Sequence, residues 1–458
     1  MLASHSSLAT DEAHALSLDR EDPLRHTRQL FCIPSVGAIA QDASRPDAMR
    51  PAVYLCGNSL GLMPAQTRRA ISDDLEAWAR MGVEGHFHAK HPWLPAHEPL
   101  RGPMSRLVGA GEHEVVAMNS LTVNLHLMMA SFYRPTKERY KIVIEDAAFP
   151  SDSYAVESQA NLHGFASGDA VVRLRPREGE QTLRTQDVID TIGRHGASVA
   201  LVMLGGVNYL SGQLMDMPTI TKAGHAAGAV VGWDLAHAAG NVELRLHDWN
   251  ADFACWCSYK YLNSGPGAVA GCFVHERHGR NLARFGERDF LPRLAGWWGN
   301  DPETRFAMGP AFVPVDRADA WSMSNPPILA LTPVRVSLEI FDKVGMAALR
   351  QKSRRLTDYL HGLIDAIPGS GGEAGEKGEG GAIRVLTPRA FEERGCQFSL
   401  AVLERGREFH QALTRAGVAC DFREPNVVRV APAPLYNTFH DCWRFAGILR
   451  DHLAKTRP

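Results

Sequence analysis

Residues 229–267 read AVVGWDLAHAAGNVELRLHDWNADFACWCSYKYLNSGPG, and this stretch decides the fold because it sets one carboxylate and one lysine at the ends of two successive apolar runs. Residues 229–233 form a short apolar run bounded by Gly228 and Asp234, the pattern of a parallel strand buried on both faces. Asp234 then stands at its carboxyl end. Residues 253–258 are again apolar and aromatic, and they deliver Tyr259 and Lys260 into SGPG, too rich in Gly and Pro to continue a strand. Open α/β sheets bind ligands at the carboxyl edge of their strands, so Asp234 and Lys260 mark either a site or an ion pair at that edge.

One chemistry requires both groups. A lysine can hold an aldehyde cofactor as a Schiff base, while a carboxylate can pair with a pyridinium nitrogen and keep the ring an electron sink, which is the protein's part in pyridoxal phosphate catalysis. Such a site also needs a phosphate cradle upstream.

At 458 residues the chain exceeds what one hydrophobic core usually supports, so two domains are expected. A net charge of −2 with no basic run gives no footprint for nucleic acid or an anionic membrane surface. The eight cysteines include no CxxC, and no histidine pair has metal-ligand spacing. That favours reduced, buried thiols in a cytoplasmic protein over a disulfide framework or a metal site. The first fifteen residues lack a basic start followed by an apolar core, and no apolar run approaches the ~20 residues of a membrane span.

Residues 11–31 read as two short helices, with Asp22 capping and Pro23 in a first turn. Residues 53–64, VYLCGNSLGLMP, carry a strand into a turn whose Gly57, Asn58 and Gly61 tolerate positive φ. An amphipathic helix is expected over 66–80, then a loop, EGHFHAKHPW, that gathers His86, His88 and His91. Val115 and Val116 lead into a helix over 123–132 capped by Ser120 or Thr122, and the N–H groups of a helix start at the ligand edge can bind phosphate as readily as a cap. KIVIE (141–145) is a strand. After it Phe149 and Pro150 form a turn, Ser151 or Asp152 caps a helix, and Phe149 stands either in the core or against a flat ligand. Further strands are expected at 199–204 and 268–275, with a helix at 220–227 between them. GWWGN (296–300) reads as an exposed aromatic loop, and SNPP near residue 325 as a hinge before helices at 333–341 and 346–364. The Gly- and Glu-rich segment 368–382 can bury almost nothing. A strand at 396–402, a helix at 404–416, a strand at 427–430 and a helix at 438–455 make a small α+β domain, in which Arg429 needs a carboxylate, from the protein or from a substrate.

The chain resembles the kynureninases, pyridoxal-phosphate enzymes of the aminotransferase-like fold type I. The resemblance rests on YLCGNSLGL from Tyr54, NSLTVNLH from Asn119, FPSD from Phe149, DLAHAAGNVELRLHDW from Asp234, FACWCSYKYLN from Phe253, GWWG from Gly296, SNPP from Ser324 and RVAPAPLYN from Arg429. It implies an α/β large domain with a mostly parallel, seven-stranded type of sheet over 69–330. A small α+β domain would follow over 331–458, and an N-terminal arm, 1–68, would serve the small domain and a dimer contact.

The resemblance further implies Lys260 as the Schiff-base lysine, Asp234 as partner of the pyridine nitrogen with His237 beside it, and Phe149 stacked on the ring with Pro150, Ser151 and Asp152 close by. Leu121, Thr122 and Tyr259 would hold phosphate. Trp297 and Asn325 would complete that site from a neighbouring subunit, making a homodimer. Arg429 would hold the substrate α-carboxylate, while His86, Ser324 and Asn325 would surround its aromatic end. Gly205 departs from the small hydroxyl residue expected near the cofactor, which removes one hydrogen bond. The implied reaction is hydrolysis of the Cβ–Cγ bond of L-kynurenine or its 3-hydroxy form in tryptophan degradation, with Tyr259 relaying a proton. Its rivals are another activity on the same fold, an aminotransferase or a cysteine desulfurase, and a cofactor-free binding protein.

Overall fold

The computed structural model describes residues 10–280, 283, 285–368, 370–371, 382–403 and 405–456. Nearly all of the Gly- and Glu-rich segment 368–382 therefore lies outside the described residues. After β1 (Val53–Tyr54), seven strands form the large sheet: β2 (Val115–Ala117), β3 (Lys141–Glu145), β4 (Val171–Leu174), β5 (Val199–Gly205), β6 (Val230–Asp234), β7 (Phe253–Trp256) and β8 (Gly271–Val274). Their order is β2-β8-β7-β6-β5-β3-β4, with β8 antiparallel to both neighbours and every other pairing parallel.

Both faces of this sheet are covered. Val143, Val202, Val231 and Ala254 enter one apolar cluster, while their neighbours Ile142, Leu201, Phe253 and Cys255 enter another on the opposite side. Period-two alternation between two buried faces explains why these strands carry near-continuous apolar runs. The parallel strands β3, β5 and β6 end in Glu145, Gly205 and Asp234, so their carboxyl ends share one edge.

The second sheet has the order β13-β14-β11-β10-β9, from β9 (Ser370–Gly371), β10 (Ile383–Val385), β11 (Phe398–Val402), β13 (Asp421–Arg423) and β14 (Val427–Val430). The helices Met346–Asp365 and Phe439–Thr456 pack with it around Phe398, Phe409 and Phe445. The N-terminal segment joins this unit. Ala15 is fully buried in the same cluster, the Asp19 carboxylate accepts from the Phe439 and His440 amides at 2.7 and 3.1 Å, and β1 pairs in parallel with β12 (Val418–Ala419).

Several sequence expectations need correction. Gly57, Asn58 and Gly61 are absent from the positive-φ positions. Two of them answer to crowding instead, since a Cβ on Gly57 would lie 2.4 Å from the Tyr436 hydroxyl and one on Gly61 would lie 2.3 Å from the Lys260 carbonyl oxygen. Ser151 and Asp152 sit inside the helix Pro150–Leu162, whose N-cap is Phe149, because Pro150 takes the first-turn position that needs no N–H. The helix Ile328–Val344 begins before Pro333, which it contains. In GWWGN only Trp297 is exposed; Trp298 is buried. Among the described residues all eight cysteines are free.

Candidate active site

The helix Leu121–Phe132 follows β2 through Asn119, whose φ of 47° turns the chain sharply at the sheet edge. Its N-cap, Ser120, makes no side-chain capping bond. The first amides of this helix therefore lack an intrahelical partner, and Ser120, Leu121 and Thr122 line a cavity of about 470 Å³. The strand ends add Glu145, Gly205 and Asp234 to the same cavity, the loop after β7 adds Tyr259 and Lys260, and the small domain adds Arg423 and Arg429.

The electrostatics of the cavity are lopsided. Asp234 accepts from the Ala236 amide at 2.6 Å. Burial, and then the charge of Asp234 with a hydrogen bond between the two carboxyls, raises Asp152 well above the usual carboxylate range. Glu145 receives the Gly205 amide at 3.1 and 3.2 Å, yet burial pushes it up to about 7. Three carboxyl groups thus share a low-dielectric wall, a place suited to a cationic ring nitrogen.

In the same cavity, Lys260 Nζ lies 3.1 Å from His237 Nε2 and 5.8 Å from the centre of the Phe149 ring. Burial, followed by the cations Lys260, Arg429 and Arg423, depresses His237 far below the ordinary imidazole range, so the ring is neutral and Nε2 can accept from the lysine. His237 Nδ1 is buried without a protein partner. Phe149 is 42% exposed and meets Tyr209 edge-on at 5.3 Å, which leaves a ring face free for a flat ligand. An open helix N-terminus, an acidic wall, an amine and a free aromatic face together fit pyridoxal 5'-phosphate.

Of the residues expected from sequence, Leu121, Thr122, Phe149, Ser151, Asp152, Gly205, Asp234, His237, Tyr259, Lys260 and Arg429 line this one cavity. Pro150 starts the adjoining helix outside the lining. His86 bonds the Val83 carbonyl through Nδ1 at 3.0 Å and packs edge-on against Trp93, away from the cavity. Ser324 and Asn325 are exposed, and Trp297 donates to the Arg305 carbonyl at 3.1 Å; none of the three lines the cavity within one chain. Glu145, Asn208, Tyr209 and Arg423 belong to the lining but escaped the sequence reading. Glu145 carried a usable signal, an acid ending a buried strand as Asp234 does.

Residues 53–285 match the family profile described as "Aminotransferase class-V". The same fold occurs in the cysteine desulfurase CsdA from Escherichia coli, 15% identical with a TM-score of 0.71 over 94% of this chain and 98% of that one. It also occurs in C-DES, solved with glycine covalently linked to its PLP cofactor, at 14% identity and a TM-score of 0.71 over 90% and 99%. The class that follows is a pyridoxal-phosphate-dependent enzyme of the class-V aminotransferase fold.

Residues 349–449 match the profile "Kynureninase C-terminal domain". The chain is 54% identical over 441 residues to a kynureninase of Myxococcus xanthus, covering 96% of this chain and 97% of the relative. It is 46% identical over 441 residues to that of Homo sapiens, covering 96% and 92%. The chain belongs to the kynureninase family and is a pyridoxal-phosphate-dependent hydrolase. Among the described residues no helix is long and apolar enough to cross a membrane.

Proposed function

We propose that the cavity around Lys260 carries out the kynureninase reaction, hydrolytic cleavage of the Cβ–Cγ bond of L-kynurenine and its 3-hydroxy form to L-alanine and the matching anthranilate, with the following division of labour. When bound, pyridoxal phosphate supplies an aldehyde for amine attachment and an electron sink. Lys260 would hold the cofactor through its amine, and the same amine is the base that would take the substrate Cα proton. Asp234, with the raised carboxyl of Asp152 beside it, would pair with the ring nitrogen and favour its protonated form. Phe149 would offer its ring face to the cofactor, with Pro150 and Ser151 next to it in the chain and His237 and Gly205 in the same lining. Leu121 and Thr122 hold phosphate through the helix N-terminus. Tyr259, whose hydroxyl is pushed up to about 12 by burial and then by Cys257, keeps its proton at neutral pH and can donate it. Arg429 receives the α-carboxylate. The observation that carries the reading is Lys260 Nζ set 3.1 Å from a neutral His237 in a cavity that Asp152, Glu145 and Asp234 also line.

The exposure of Trp297, Ser324 and Asn325 supports a homodimer in which these residues, with His86, reach the partner's cavity. The free thiols support a cytoplasmic setting. We read the domains as an arm (1–68), a large domain (69–330) and a small domain (331–458), an assignment supported by the arm's packing on the small sheet. Release of anthranilate and 3-hydroxyanthranilate, followed side by side, tests the reaction. Mixing inactive Lys260→Ala and Trp297→Ala subunits tests the shared site, because one intact cavity should re-form in the mixed dimer; no recovered activity would count against it.

A further inference from the structure

Arg429 is nearly sealed, with its side chain 1% exposed, and its guanidinium is already engaged. Nε donates to Asp421 Oδ1 at 2.7 Å, Nη2 makes a second, short bond to Asp421 Oδ2, and Nη1 donates to the Tyr209 carbonyl at 2.7 Å. Nη2 also reaches Ser59 Oγ, at 3.3 Å. Burial works against the charge on Asp421, yet Arg429 outweighs it and holds the carboxyl below its ordinary range. A two-pronged pair of this kind is electrically neutral. By itself it offers an incoming carboxylate geometry but no net charge.

The charge comes from the next turn of the chain. Arg423 lies at the end of β13, directly opposite Val427 in the hairpin with β14, and lines the same cavity. Its Nη2 stands 3.3 Å from Asp421 Oδ2, and Nη1 donates to the Phe422 carbonyl at 3.1 Å. Among the described residues its remaining N–H groups have no partner, and the side chain is 36% exposed. Asp421 is thus shared by two guanidiniums, and the triad carries one uncancelled positive charge at the small-domain wall.

We propose that Arg423 is a second substrate-binding residue, completing with Arg429 the site for the α-carboxylate of an α-amino acid. This rests on the assignment of Arg429 above. Arg429, locked by Asp421, fixes where the carboxylate sits. Arg423, with free donors, supplies the attraction and closes over the carboxylate from the cavity mouth. Loss of one charge-assisted hydrogen bond corresponds to about ten- to a hundredfold in affinity.

The test uses the cofactor-loaded enzyme and two partial ligands. L-alanine presents the headgroup alone, titrated through the cofactor's visible absorption. 2-Aminoacetophenone presents the aryl ketone alone, measured as an inhibitor. In Arg423→Gln the alanine Kd and the kynurenine KM should rise about ten- to a hundredfold, with kcat and 2-aminoacetophenone inhibition within about threefold of wild type. Arg423→Lys, which keeps the charge, should fall between. Unchanged alanine affinity in Arg423→Gln overturns the proposal, and so does an equal loss for both partial ligands, which would mark a structural role. Arg429→Gln separates the two readings: if it weakens alanine while Arg423→Gln does not, only the role of Arg423 falls. If neither weakens alanine, the assignment of Arg429 falls as well.

Discussion

Gly61→Ala tests whether the GNSLG turn exists to seat the lysine loop. A Cβ at position 61 would lie 2.3 Å from the Lys260 carbonyl oxygen, 2.4 Å from Asn263 Oδ1 and 2.7 Å from Asn263 Cα. Bringing the first contact out to 3.0 Å, the least that real Cβ atoms show, requires a separation of at least 0.7 Å. The loop cannot retreat freely. The Gly61 amide donates to the Tyr259 carbonyl at 2.8 Å, the Asn263 amide donates to the Lys260 carbonyl at 2.9 Å, and Asn263 is fixed at a φ of 57°. The obstructing atoms are mostly backbone, so the displacement passes to Lys260 itself. A misplacement near 1 Å costs on the order of 10²-fold in rate, and overpacking costs about 1–3 kcal/mol of stability. We therefore expect Gly61→Ala to fold, bind cofactor with an altered visible band, and lose about 10²-fold in kcat. Gly57→Ala is the matched control, since its obstruction at 2.4 Å is the hydroxyl end of a side chain, Tyr436. A kcat for Gly61→Ala within about threefold of wild type, with an unchanged absorption band, would refute the reasoning.

Other outcomes follow from the same geometry. Lys260→Ala should lose turnover and the borohydride-sensitive visible band while its melting curve stays near wild type. Asp234→Ala should keep cofactor but slow Cα proton removal by ~10²–10³, read as loss of deuterium exchange at Cα. Glu145 keeps its proton to about 7 in the folded chain, above its ordinary value, so the cofactor-free protein should lose stability as pH rises from about 4.5 towards 7, by about 3 kcal/mol in all. Glu145→Gln should flatten that slope in denaturant titrations at pH 5 and 8; an unchanged slope would show that Glu145 is ionised throughout. His86→Phe should lower kcat/KM for 3-hydroxykynurenine relative to kynurenine by roughly tenfold if His86 faces the partner's pocket, and a constant ratio would remove it from the site.

The legible part of this protein is the part written along single strands. Asp234 and Lys260 could be placed at one edge because each ends an apolar run, and the run itself states that the strand is buried on both faces. The helix after β2 was legible for the same local reason, although its start lies at Leu121 and not at Val123, with Ser120 at the N-cap position and Asn119 making the turn that leads into it. β4 went unread, as did the short strands of the small sheet. Val171–Leu174 contains Arg173, which donates to Glu157 on the neighbouring helix, so the strand lacks the apolar continuity of its neighbours. The motif residues Gly57 and Gly61 were visible but misassigned. Their reason is a neighbour hundreds of positions away, Tyr436 or Lys260, and no local φ preference records it.

The same distinction separates the site residues that were read from those that were not. Glu145 obeys the rule that found Asp234, but the lysine of its own stretch, Lys141, stands at the other end of β3. Arg423 has no local rule at all. Its meaning depends on Asp421 being held by Arg429 across the hairpin, on Tyr209 closing the other side of Arg429, and on the small sheet facing the carboxyl edge of the large one. Each of those facts is a tertiary contact between segments that carry no shared pattern. A cavity whose cofactor wall is built by successive strands of one sheet declares itself in sequence, whereas the wall that meets the substrate is assembled from the two domains. Substitutions on the first wall should alter the cofactor's absorption and kcat together, while those on the second should raise KM at constant absorption. A variant at Arg423 or Arg429 that changed the visible band of the free enzyme would break this division.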